Sequence, residues 1–170
     1  MRWFPMMLAA LLATHAQAGC PLADAPVLEQ SQKVYLQAYA GGLMLCDGEK
    51  NLRWPLTNAD ASHAATQVDQ HWHFPNRQSF VVVSGALGEV WEISYNPRAP
   101  EIATGKVHDF QYREGAFVPG YLHPQRGRIP QAVITASQAQ ADEHGLWLEQ
   151  DGMRRFYHLD VRKFIPRPAS

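Results

Sequence analysis

Three glycine-bearing turns constrain this chain more than anything else in it. Asp47-Gly48 separates an apolar run, Leu43 to Cys46, from Asn51 to Leu56. Asp151-Gly152 separates Leu146 to Gln150 from Met153 to Val161, and the loop Ser84 to Gly88 separates Phe80 to Val83 from Glu89 to Tyr95. Asp-Gly between apolar runs is a strong hairpin signal, because both turn residues tolerate positive φ. The flanking runs alternate as strands do. Val34, Leu36 and Ala38 fall on one face and Tyr35, Gln37 and Tyr39 on the other, with Gly41-Gly42 as the next turn; Trp91, Ile93 and Tyr95 likewise oppose Val90, Glu92 and Ser94. Helical periodicity is scarce, and Gln131 to His144, headed by Pro130, holds at best one short helix. The expectation is an all-β protein: a sandwich, a barrel or a set of propeller blades. LMLCDGEKNLRW and LWLEQDGMRRFY share one run-turn-run plan, which reads either as a weak internal repeat or as the ordinary likeness of hairpins.

The start of the chain bears on where it works. Arg2, an apolar run from Trp3 to Ala13 and the small residues Ala16-Gln17-Ala18 form a secretory signal peptide, with cleavage expected after Ala18. The run is well short of the ~20 apolar residues needed to span a bilayer, and no later run reaches that length. Ala18-Gly19-Cys20 also resembles the end of a bacterial lipoprotein box, with Gln17 where that motif has Leu, so lipidation at Cys20 stands as the alternative. Residues 19–32 lack either periodicity and read as an N-terminal arm; 33–170 read as a single β-rich domain. An exported, periplasmic chain can keep disulfides. Cys20 and Cys46 are the two cysteines present, and a bridge between them would contribute roughly 3.5 kcal/mol in the chain-entropy model; two unrelated thiols are the other reading. Neither C-x-x-C nor C-x-x-C-H occurs.

With 15 basic and 16 acidic residues in the whole chain, no basic stripe of the kind that binds nucleic acid is present. Enzyme signatures are missing too: there is no G-x-S-x-G, no H-E-x-x-H and no glycine-rich phosphate loop. The chain therefore leans away from catalysis.

The segment from Leu87 to Arg126 is the most distinctive. Trp91-Glu92-Ile93-Ser94-Tyr95-Asn96-Pro97, Pro100-Glu101-Ile102, Gly105 and Val107-His108-Asp109-Phe110 together resemble the cytochrome d1 domain family of periplasmic β-propellers. The resemblance is close over Gly88 to Arg126 and loose over Trp72 to Ile165; Gln111 to Gly115 departs from it where the family has a Met- and Gly-rich turn. It implies antiparallel propeller-type blades. At ~40 to 45 residues per blade the chain has room for about three, an incomplete propeller or one completed by oligomerisation, with a homodimer or a periplasmic redox protein as partner. It also implies a non-catalytic module that binds, or helps to assemble, a tetrapyrrole of the haem d1 type; a periplasmic protein-protein interaction module without cofactor is the alternative.

Candidate site residues follow from side-chain chemistry. Arg113, Tyr121, His123 and Arg126 combine guanidinium forks for carboxylates, an axial nitrogen and a stacking face, and His108 joins them at the position where the resembled family carries its His-Asp pair. The same residue types also dominate protein interfaces. His71 and His73 lie two apart, so in a strand they share a face and both can reach one metal ion, with His63 as a third nitrogen; a solvated strand face is the competing reading.

Overall fold

The computed structural model describes residues 21, 24–48, 50–109, 114–132, 134 and 140–166, without the side chains of 105–109, 114, 115, 140 and 141. These residues form strands, one 3₁₀ turn (Pro75–Arg77) and no α-helix, so the all-β expectation holds. Three four-stranded antiparallel sheets follow one another along the chain, and none closes on itself.

The first sheet runs β1 (Val27–Ser31), β2 (Val34–Tyr39), β3 (Gly42–Cys46), β4 (Asn51–Pro55), in that spatial order. The second contains β5 (Gln70–Phe74), β6 (Ser79–Ser84), β7 (Glu89–Ser94) and β10 (Pro124–Arg128), again side by side in chain order. The third is β11 (Gln140–Asp142), β12 (Gly145–Gln150), β13 (Met153–His158), β14 (Lys163–Ile165). Between β7 and β10 the chain leaves the second sheet and makes a separate ribbon, β8 (Ile102–Asp109) with β9 (Glu114–Val118). The turns do what their sequences dictate. Gly48 sits at φ 89°, and Asp151 and Gly152 at φ 51° and 73° form the two-residue loop that sets Gln150 opposite Met153.

Burial explains the stacking order. Leu36, Leu43 and Leu45 of the first sheet meet Phe80, Val82, Trp91 and Ile93 of the second in one core. The opposite face of that second sheet, Val81, Val83 and Val90, meets Leu146, Leu148 and Tyr157 of the third in another. The middle sheet thus buries both faces, which is why β6 reads Ser-Phe-Val-Val-Val-Ser without alternation and is buried along its whole length. Each fully buried side chain of this size contributes roughly 1.5–3 kcal/mol. At Gly127 in β10 a Cβ would lie 1.8 Å from the Tyr157 hydroxyl oxygen, so glycine there lets the third sheet close on the second. A polar strut joins the same two sheets: Arg77 donates twice to Glu92 (2.8 and 3.1 Å) and once to Asp160 (2.7 Å).

Local expectations differ from the structure in three places. The stretch read as an arm contains β1, which pairs with β2 through a register shift between Val27 and Glu29. β13 ends at His158 rather than running to Val161, because Leu159 to Arg162 turn the chain back: Leu159 N–H donates to the His144 carbonyl at 2.9 Å and Arg162 adopts φ 52°. In the Gln131 to His144 stretch Gln140–Asp142 is a strand, while 133 and 135–139 lie outside the described residues. The stretch read as a leader, residues 1–18, is also outside them, and no helix among the described residues is long and apolar enough to cross a membrane.

Candidate binding groove between the first and second sheets

A groove of about 640 Å³ opens between the end of the first sheet, β10 of the second and the β8–β9 ribbon. Its apolar walls come from Trp54 on one side and Ile102, Ala103 and Val118 on another; His123, Pro124, Gln125 and Arg126 form its floor, and Arg162 reaches its rim from the third sheet.

The floor is built by an unusual backbone step. After β9, Gly120 packs so closely that a Cβ there would sit 2.0 Å from the Pro100 carbonyl oxygen, and Tyr121 bridges to Ser94. Leu122 then adopts φ 60°, a left-handed conformation that costs a non-glycine residue about 1 kcal/mol or more. It is held there from both sides, its N–H donating to the Ser94 carbonyl at 2.7 Å and its own carbonyl accepting from the Trp54 indole at 3.2 Å. This step delivers His123 to the groove.

His123 packs edge-on to Trp54, with ring centroids 4.9 Å apart. Its Nδ1 lies 3.0 Å from the Tyr121 carbonyl oxygen. A carbonyl only accepts, so Nδ1 carries a proton, and in the neutral ring the lone pair is then on Nε2, the nitrogen with which the imidazole can act as a ligand. Arg126 is committed to the protein itself. It donates to the Thr57 carbonyl at 2.7 Å, lies 3.5 Å from a Glu89 carboxylate oxygen, and sits 4.1 Å above the Trp91 ring. Burial pulls its pKa below the ordinary arginine value, with Glu89 opposing that shift. Glu89, itself only 3% exposed, accepts from the Trp91 indole (2.7 Å) and the Ala59 N–H (2.8 Å).

The remaining candidates are dispersed. Tyr121 donates its hydroxyl to Asp47 at 2.9 Å, with the Lys50 ammonium over its ring. His108 lies in β8 with its side chain outside the described residues, and Arg113 lies outside them altogether. His71 and His73 do share the face toward the first sheet, but His71 Nδ1 is 2.9 Å from Glu29 and His73 Nε2 is 2.8 Å from the Tyr95 hydroxyl. His63 bonds within its own loop, to Ser62 and Asn58. Among the described residues no three His, Cys, Asp or Glu side chains gather as a metal site would require. Asp60, Ser62 and His63 invite comparison with a catalytic triad, yet the Asp60 carboxylate accepts from the Ser62 hydroxyl and does not orient the imidazole, so the group caps a turn. Cys46 is fully buried and is not a free thiol; Cys20 lies outside the described residues.

Trp54 and Arg162 belong to the groove although nothing in their local sequence marks them, since their positions depend on pairings far along the chain. Neither a protein-family model, nor a curated protein, nor a solved structure matches this chain.

Proposed function

We propose that the chain is an exported, non-catalytic binding module built of three blade-like sheets, whose groove takes a planar, carboxylate-bearing ligand of the tetrapyrrole class. The observation that carries this reading is His123: an imidazole at an apolar groove, its Nδ1 fixed by a backbone carbonyl and its Nε2 left with a lone pair. The sheet plan supports the blade reading, since the first and third sheets are consecutive four-stranded meanders, the second is one interrupted by the β8–β9 ribbon, and β1 lies against β5 through the Glu29–His71 contact. In such an arc β4 and β10 are outer strands, which puts the groove on the outer rim rather than at a central mouth.

Among the resembled family's residues, His123 fits an axial role best. Tyr121 and Arg126 act as its supports, the one lending its carbonyl and the other holding the groove floor to Thr57 and Trp91. Haem of the d1 type, when bound, supplies iron for one imidazole nitrogen and carboxylates for a guanidinium. Export to the periplasm follows from cleavage after Ala18, and a Cys20–Cys46 bridge accounts for a Cys46 that is buried and not free.

Titration of the folded protein with haem b and haem d1 tests the reading: a shifted Soret band is expected, lost in His123→Ala with the β-rich circular dichroism unchanged. No shift with either haem sinks it. A protein-interaction module is the second reading, favoured by a rim of the third sheet where Arg154 lies 5.0 Å over Trp147 and Arg155 lies 5.9 Å over Phe164, side chains typical of interface hot spots. A doubled mass in light scattering together with a silent Soret titration would favour that alternative, with a second copy as partner.

A further inference from the structure

We infer that Arg162 is the anion anchor of the groove, and that the ligand is therefore an aromatic or macrocyclic anion with its acidic group at the rim facing the third sheet. The inference rests on reading the groove as a ligand site, and it names a residue from outside the segment that suggested one.

Two guanidinium groups line the groove and no carboxylate does, among the described residues. Their situations differ. Arg126 is spoken for by Thr57, Glu89 and Trp91. Arg162 has neither a hydrogen bond nor an ion pair with any described residue. A guanidinium offers five donors in a rigid fork, and a carboxylate or sulfonate satisfies two of them at once.

Its placement is fixed by the fold. The turn from Leu159 to Arg162 is pinned at one end by the Leu159 N–H on the His144 carbonyl (2.9 Å) and in its middle by Arg77 on Asp160 (2.7 Å). Arg162 ends that turn at φ 52°, a backbone conformation that L residues rarely adopt, just before β14 begins. β10 passes directly beneath it: a Cβ on Gly127 would come within 3.1 Å of the Arg162 Cβ. A strained turn thus holds a cation without a partner among the described residues over β10, the strand that carries Arg126 and follows directly on His123. Strain of this kind persists only where the surrounding structure over-determines it, and it clusters at ligand clamps. With Trp54, Ile102 and Val118 as apolar walls, the groove has one end suited to a flat apolar body and another to a negative charge.

The experiment uses two fluorescent probes of similar shape, the anionic 1-anilinonaphthalene-8-sulfonate and the neutral N-phenyl-1-naphthylamine, with haem titrations alongside. The sulfonate should bind the wild-type protein, and Arg162→Gln should weaken it by about tenfold or more, the factor expected for loss of a hydrogen bond to a charged group. The neutral probe should bind both equally, and Arg98→Gln, an exposed arginine away from the groove, should alter neither. Equal sulfonate affinity in wild type and Arg162→Gln overturns the anchor, as does a parallel loss of both probes or failure of the folded wild type to take the sulfonate. A haem shift that is insensitive to Arg162→Gln removes the anchor and leaves the tetrapyrrole reading standing. The sulfonate dependence without any haem shift keeps the anchor and removes the tetrapyrrole.

Discussion

Glu89→Ala is expected to be among the most damaging single substitutions in this protein. The carboxylate is nearly inaccessible, and its two short bonds go to the Trp91 indole N–H at 2.7 Å and the Ala59 backbone N–H at 2.8 Å, the latter in the loop that leaves the first sheet. Truncation leaves the buried Trp91 indole N–H without a partner, at about 1–3 kcal/mol, and removes the part-buried bond from the exposed Ala59, at about 1 kcal/mol. It also strips Arg126 of a neighbouring carboxylate, but at 3.5 Å, with the guanidinium partly exposed and held by the Thr57 carbonyl, that contact contributes at most about 1 kcal/mol. Together these give a loss of about 2–5 kcal/mol, a large share of the ~5–15 kcal/mol by which a domain is stable. Urea denaturation followed by far-ultraviolet circular dichroism measures it without relying on the Trp91 signal. Because Arg126 is 3.5 Å from Glu89 but 2.7 Å from the Thr57 carbonyl, the Glu89 effect should come chiefly from the neutral donors. In an Arg126→Ala background it should therefore persist to within about 1 kcal/mol, a contrast that a double-mutant cycle reads directly. A Glu89→Ala loss below 1 kcal/mol would refute the argument, and so would a loss that vanishes once Arg126 is gone.

Gly127→Ala places a methyl group against the Tyr157 hydroxyl and the Arg162 side chain, so it should destabilise by about 1–3 kcal/mol through overpacking, and pairing it with Tyr157→Phe should recover part of that loss. Burial pushes the Tyr157 hydroxyl up to about 12. Its folded pKa thus exceeds the unfolded value, so its contribution is fully present below about pH 10 and is lost as pH rises through the folded pKa; one of the six tyrosines should ionise late in an ultraviolet titration, and Tyr157→Phe should flatten the alkaline loss of stability. At the acid end Arg77 holds the Asp160 carboxyl below its ordinary value. Its contribution is present above the unfolded pKa and lost as pH falls through the folded one, so Asp160→Asn should blunt the acid-side decline in a melting series, an outcome that an unchanged acid limb would contradict.

What the sequence made legible was whatever the local chain decides. The three hairpins are there because Asp47-Gly48, Gly85 to Gly88 and Asp151-Gly152 permit only a few backbone paths, and Trp91, Ile93 and Tyr95 do share a face against the first core. β1 escaped notice because its register shift after Val27 destroys the alternation that would have announced it. β10 escaped as well: Pro-Gln-Arg-Gly-Arg has no strand propensity, and it is a strand only because β7 offers an open edge, with proline at the first position where its missing N–H is tolerated. The period-two argument placed His71 and His73 on one face correctly, yet their partners Glu29 and Tyr95 are distant in sequence and turn the two rings to different tasks. The groove was half visible, since His123 lies in the distinctive segment while Trp54, in β4, and Arg162, in the turn before β14, come together only through the stacking of all three sheets.

The excursion between β7 and β10 has its two ends stapled side by side, by the Ser94–Tyr121 bridge, the Leu122 N–H on Ser94 and the close seat of Gly120 on Pro100. Chain closure there is settled within the second sheet, so the β8–β9 ribbon hangs from a finished frame as a cassette does. Changing its length then carries only the slow, logarithmic entropy term of a longer loop. Because Ile102, Ala103 and Val118 of that ribbon wall the groove while neither core includes any of its described side chains, binding preference can drift, or be grafted, at little expense to the fold.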